Sequence, residues 1–214
     1  MATYLAYDLG AESGRGVAGT LTGGKLTIRE VHRFWNLPAV IQGTMYWDVY
    51  GLWRELQTAF GKFKDAVGRP PAAVGIDTWG VDFGLLAADG SLLAPPVCYR
   101  DHRNDATMGE ILKEIPAERI YDATGIQFMQ FNSIFQLAGI RRRTPRVLDA
   151  ADAVLFVGDL LAWCFTGRKA NEYTLASTSQ LIDPRTRAWA GDLLDELGIP
   201  RHIFPELVEA GTVL

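Results

Sequence analysis

Two cysteines and three histidines are all that the 214 residues hold of the strongest metal-ligating side chains. His32, His102 and His202 are scattered and neither cysteine adds ligand spacing, which argues against a zinc site held by the protein. Cys98 and Cys164 lie far apart in apolar company (Pro-Val-Cys-Tyr and Ala-Trp-Cys-Phe), the setting of buried free thiols rather than of a disulfide framework. No apolar run reaches the roughly 18 residues that a membrane-spanning helix needs. Met1-Ala2-Thr3-Tyr4 has no basic leader and enters a strand directly, so no secretory signal is expected and the cytoplasm is the expected compartment. Basic charge is not in excess either. Twenty-one Lys and Arg against 25 Asp and Glu leave a net charge of -4, which argues against nucleic acid as a partner. The densest basic run, Arg141-Arg142-Arg143 with Arg146 nearby, reads as the solvated last turn of a helix before Pro145. No Gly-x-Gly-x-x-Gly opens a helix, and neither repeats nor low-complexity linkers occur.

What is present is an ordinary globular composition, 48% hydrophobic and 21% charged, with ample chain for one large domain or two small lobes. Apolar alternation predicts strands over 4–8, 15–21 and 26–34, the last two joined by a tight Gly23-Gly24 turn, hence an antiparallel meander. Val49, Leu52, Trp53, Leu56, Phe60, Phe63 and Val67 form a helical stripe that Asp48 is placed to cap and Gly68-Arg69-Pro70-Pro71 to stop. Strands follow at 73–77 and 83–87. Beyond them come helices over 103–115, 133–143, 160–165 and 192–197, with a short buried strand at 154–157. This order predicts a mixed α/β sheet with flanking helices, not the strict alternation of a dinucleotide fold.

Within the first meander, Asp8 ends a strand and is followed by Gly10, Ala11, Glu12, Ser13 and Gly14, with Arg15 opening the return. Backbone amides can cradle phosphate only where side chains leave them bare. A carboxylate beside such a turn would repel phosphate unless a divalent cation lay between them. The stretch therefore suits a Mg-nucleotide site, although an ordinary hairpin with Asp8 capping its own turn leaves the same trace.

The opening "YDLGAESGR" and the order of elements resemble the N-terminal domain of the FGGY carbohydrate kinases, whose fold is ribonuclease-H-like, as in the actin-like ATPases. The rhamnulokinase branch of that family is the nearest in "EVHRFWN", "YWDV", "GIDTWGVDFGLL", "YRDHRN", "GIQFMQFNSIFQL" and "EYTLASTSQLIDPRTRAW". The resemblance runs through residues 1–214 and implies the following. Asp8 organises Mg, directly or through water, and Ala11, Glu12, Ser13, Gly14 and Arg15 lie against the phosphates of ATP. Gly80 offers its backbone and Trp79 a ring face to a small-molecule sugar, L-rhamnulose or a related ketose. Arg100 and Asp101, with Arg103, bond sugar hydroxyls, and Phe131 and Asn132 supply a lid.

Asp77 and Asp82 flank the same turn, where either suits holding metal or sugar and turn-capping suits Asp77 better, and the hydroxyl-rich 172–180 segment suits either a cleft wall or a set of local caps. Phe128, Met129 and Phe131 could form an apolar patch for the methyl of a 6-deoxy sugar. The family's general base and most adenosine contacts belong to a C-terminal domain beyond Leu214, so this chain is expected to carry half an active site. Open alternatives are a sibling kinase for xylulose, fuculose or glycerol, and a non-catalytic sugar-binding or partner-binding domain.

Overall fold

A computed structural model describes residues 2–214. The chain forms two compact units, 1–39 with 47–79 and 40–46 with 80–214.

In the first unit β1 (Ala2–Leu9), β2 (Ser13–Thr22) and β3 (Lys25–Trp35) run antiparallel, and β6 (Val74–Thr78) lies parallel to β1, giving the order β3-β2-β1-β6. Gly23 and Gly24 both have positive φ, the conformation their hairpin requires. Leu5, Tyr7 and Leu9 alternate inward from β1. α1 (Val49–Val67) covers that face with Leu52, Leu56, Ala59 and Phe63, all buried. Asp48 accepts the Gly51 N–H at one end of α1, and left-handed Gly68 closes the other. The Tyr7 hydroxyl donates to the Leu56 carbonyl at 2.7 Å, and burial pushes the Tyr7 pKa upward.

The second unit starts with a hairpin of β4 (Ala39–Ile41) and β5 (Thr44–Tyr46), turned at Gln42-Gly43 with φ positive at both. The strand expected at 83–87 forms as β7 (Phe83–Leu86) but does not join the four-stranded sheet. It pairs antiparallel with β8 (Ala153–Phe156), and every residue of both is buried. Period-two patterning cannot tell such a strand from a sheet member, because both of its faces are covered.

Helices surround this ladder: α2 (Thr107–Glu114), α3 (Ala117–Thr124), α4 (Ser133–Arg143), α5 (Pro145–Asp149), α6 (Val157–Thr166), α7 (Tyr173–Ser177) and α8 (Gly191–Glu196). The helix expected over 103–115 is broken. Asp101 caps a single 3₁₀ turn, His102–Asn104, by accepting the Arg103 N–H, and α2 begins only at Thr107. Four two-residue strands, β9 (Asn171–Glu172), β10 (Ile182–Asp183), β11 (Ala188–Trp189) and β12 (Leu207–Val208), complete the unit. Arg141 bonds Asp149, Arg142 bonds Glu110 and Glu114, and Arg143 bonds Asn104, so the basic run is a set of local pairs. Both cysteines are free thiols. Cys98 is buried, its pKa pushed up to about 11 by desolvation, whereas Cys164 is only half-buried.

Asp159, in the first turn of α6, is 6% exposed. Its Oδ1 accepts the Glu172 N–H at 3.0 Å, and its Oδ2 has no hydrogen-bond partner. Burial, more than the nearby Glu172 charge, pushes its pKa up to about 7. The unfolded carboxyl titrates near 4, so the native state binds the extra proton between pH 4 and 7. Stability therefore falls as pH rises through that window, by at most about 4 kcal/mol. Asp159→Asn is expected to remove the fall. Urea unfolding of both proteins at pH 5 and pH 8 reads the difference, and parallel pH dependences would show that Asp159 does not titrate there.

Candidate functional site

Each unit carries one cluster of the residues singled out in the sequence. In the first, the loop after β1 is shorter than expected. β2 begins at Ser13, so only Gly10, Ala11 and Glu12 form the turn, and Ser13, Gly14 and Arg15 belong to the strand. Gly14 is small for packing: a Cβ there would stand 2.4 Å from the Phe34 ring. Asn36, 4% exposed and not anticipated as a site residue, pins the turn. Its side-chain amide donates to the Gly10 carbonyl (2.8 Å) and its backbone N–H to the Glu12 carbonyl (2.9 Å). An anion approaching the turn thus meets fewer exposed carbonyl oxygens. "FWN" stands out in the sequence, but the role of its Asn becomes visible only once β3 lies beside β2.

Strand register aligns four charges across this sheet. Arg33 pairs with Arg15, Arg15 with Asp8, and Asp8 with Asp77 of parallel β6. Paired residues share a sheet face, so two cations and two carboxylates form one transverse row. The Arg15 Nε donates to Asp8 Oδ2 at 2.7 Å, with both side chains about half exposed. Among the described residues no group of three or more His, Cys, Asp or Glu could enclose a metal. One or two carboxylates beside a phosphate-facing turn are nevertheless the donor set that suits Mg, which keeps several waters and takes its other oxygens from phosphates. Asp8 fits this role, and the register adds Asp77, which the sequence left ambiguous between metal, sugar and turn-capping. Trp79, also in this unit, packs its ring 4.4 Å from that of Trp47.

In the second unit Gly80, Val81 and Asp82 form a strained turn. The Asp82 N–H donates to the Gly80 carbonyl at 2.9 Å across Val81, whose φ is 67°. A β-branched residue at the centre of such a γ-turn is rare and costly. Gly80 itself does not have positive φ. Its lack of a side chain is explained by Thr178, whose Oγ1 would lie 2.7 Å from an added Cβ and which accepts the Val81 N–H at 3.3 Å.

The turn is held from three further sides. Ser133 Oγ donates to the Val81 carbonyl (2.6 Å), and the Gln136 amide bonds Val81 O, Asp82 Oδ1 and Phe131 O. Asp82 Oδ2 accepts the Tyr99 N–H at 3.0 Å. Next to that contact, Arg100 Nε donates to the Tyr99 hydroxyl (3.1 Å), and Phe131 meets the Tyr99 ring edge-on at 5.6 Å. Gly80, Arg100 and Phe131 are thereby gathered through Tyr99 and Gln136, neither of them predicted by role.

Other expected contacts are used within the protein. Asp101 accepts the backbone N–H groups of Met45 (2.7 Å) and Arg103 (2.9 Å). The Asn132 amide donates to Gln127 O and Gln180 Oε1, both at 2.9 Å. Along 172–180 the hydroxyls mostly serve caps: Glu172 caps α7, and Ser177 and Thr178 bond carbonyls three residues back. Phe128 packs against core Phe135, and Met129 is exposed.

Residues 3–214 match the model for the FGGY family of carbohydrate kinases, N-terminal domain. The rhamnulokinase of Enterococcus faecalis is 43% identical over 213 residues, covering 99% of this chain and 42% of that protein. That of Bacteroides thetaiotaomicron is 41% identical, covering 97% and 43%. The chain thus spans less than half the length of the curated relatives it matches. Among solved structures, a ligand-bound xylulose kinase from Lactobacillus acidophilus superposes with a TM-score of 0.87 at 18% identity, over 100% of this chain and 43% of that one. A Plasmodium falciparum glycerol kinase with ADP gives 0.78 at 17% identity, over 97% and 43%. With one family's N-terminal model spanning nearly every residue, and the fold shared with its solved members, the chain belongs to the FGGY family of carbohydrate kinases.

Proposed function

We propose that this chain is the sugar-binding N-terminal half of an ATP-dependent ketose kinase of the rhamnulokinase type. The observation that carries the reading is identity near 40% to rhamnulokinases along the whole chain. In the complete enzyme the O1 hydroxyl of L-rhamnulose attacks the γ-phosphorus in line. The new O1–P bond forms as the bond to the β-phosphate oxygen breaks, ADP leaves, and an aspartate outside these 214 residues takes the hydroxyl proton.

Asp8, with Asp77 beside it, would hold Mg, which when bound neutralises phosphate charge. Arg15 and the pinned 10–12 turn receive phosphate oxygens. In the second unit, Gly80, Arg100 and Phe131 contact the ketose, with Asp101 and Asn132 fixing the loops around them.

The chain alone is expected to show no appreciable L-rhamnulose-dependent ADP release. Joined to the C-terminal half of the Enterococcus faecalis relative, it is expected to phosphorylate L-rhamnulose in preference to D-xylulose, L-fuculose and glycerol. Turnover by the chain alone near ~1–100 per second would overturn the need for a second half. A joined enzyme preferring D-xylulose would keep the family and discard the rhamnulose assignment.

A further inference from the structure

Two loops meet at one amide, and a third joins them through a carboxylate. The Gln136 side-chain NH2 lies 3.2 Å from the carbonyl of Val81, 2.9 Å from that of Phe131, and 3.0 Å from Asp82 Oδ1. Asp82 carries the connection onward, its Oδ2 accepting the Tyr99 N–H. Two side chains, Gln136 4% and Asp82 0% exposed, thus tie the Gly80–Asp82 turn to the 98–101 loop and to the 129–132 loop. Burying a carboxylate is expensive, and an apolar core of the same volume is commonly as stable or more so. The same network holds Val81 in a conformation that a β-branched residue avoids. A buried polar hub that stabilises a strained backbone fixes one geometry at a cost in stability, which is how positioning devices are built.

We propose that Gln136 and Asp82 act as a positioning pair that holds the backbone of Gly80–Val81 and the Tyr99, Arg100 and Phe131 side chains in register for a polyol. This rests on the ketose reading of the same surface. Neither residue touches the sugar; each acts through the loops it holds. The geometry makes the pair interdependent. The two side chains meet directly, Gln136 donating to Asp82 Oδ1 at 3.0 Å, so changing either partner disturbs the same contact.

The test uses the ¹⁵N-labelled chain and its variants Gln136→Met, which keeps the length and removes the donors, and Asp82→Asn, which keeps the shape and removes the charge. Without ligand, both are expected to speed exchange of the Tyr99 N–H at least tenfold and to shift the amides of Val81, Arg100 and Phe131. Titrated with L-rhamnulose, each is expected to weaken binding at least tenfold, and the double variant no more than the worse single one. Amides 8–15 are expected to respond to Mg-pyrophosphate as in wild type.

Lowered melting temperature with unchanged L-rhamnulose affinity would make the pair mere scaffolding and overturn the proposal. So would additive losses in the double variant. If wild type binds no ketose, the ketose reading fails, and the unliganded spectra decide the positioning claim: unaltered Tyr99 exchange and unshifted Phe131 overturn it. Should Gln136→Met not fold, Asp82→Asn reads the same quantities.

Discussion

Asp8→Asn is expected to lower the turnover of the joined enzyme at least ~100-fold while changing the KM for L-rhamnulose by less than about threefold. The asymmetry follows from where Asp8 sits. It stands in the transverse row of charges beside the 10–12 turn, where its proposed partner is Mg on the phosphates and not the ketose. Its ion pair with Arg15 is half exposed, so losing that pair is expected to change stability by no more than ~1 kcal/mol. Folding therefore does not confound the result, and a thermal melt checks this. Asp77→Asn is expected to lower turnover as well, by a smaller factor, because its carboxylate is the second of the row. Turnover intact with KM raised would move Asp8 from the phosphates to the ketose.

Gly80→Ala is expected to abolish detectable ketose binding, but a single substitution cannot show why. The new methyl would press on Thr178, whose hydroxyl accepts the Val81 N–H and donates to the Leu175 carbonyl at 2.8 Å. Overpacking of this kind costs roughly 1–3 kcal/mol, and here it disturbs the strained turn as well. Thr178→Gly on the Gly80→Ala background removes the obstructing side chain. If the methyl stands in the path of the ketose, the double variant regains stability while ketose binding stays lost, and Thr178→Gly alone still binds. If ketose binding returns together with stability, the loss came from the clash with Thr178 and the methyl does not stand in the path of the ketose.

Periodicity and caps revealed much of the scaffold. The meander, the Asp48-capped helix and its Gly68 stop are local features, written in neighbouring residues. The departures come from long-range events. Phe83–Leu86 reads like a sheet strand yet pairs only with Ala153–Phe156, a choice made by partners some seventy residues away. Gly14 and Gly80 look like glycines kept small for a ligand, but each has a side chain, Phe34 or Thr178, occupying the place of its missing Cβ. Val81 gives no local sign of a positive φ, because β-branched residues disfavour it; the contacts that hold it there come from 97, 52 and 55 residues downstream. Asp77 gains meaning only from its register with Asp8. Motifs named the candidate residues. Only the packing identified which of them face inward as supports.

The most direct test is a two-dimensional ¹H–¹⁵N titration of the wild-type chain with L-rhamnulose and, separately, with Mg-ATP. Two separate responses are predicted: L-rhamnulose shifts the amides of Gly80, Val81, Arg100 and Phe131, and does so at lower concentration than D-xylulose. Mg-ATP shifts those of Asp8 through Arg15 and Asp77. Shifts from L-rhamnulose scattered over the surface, or centred on the edge strand β3, would contradict the assignment of this chain as a ketose-binding half-enzyme.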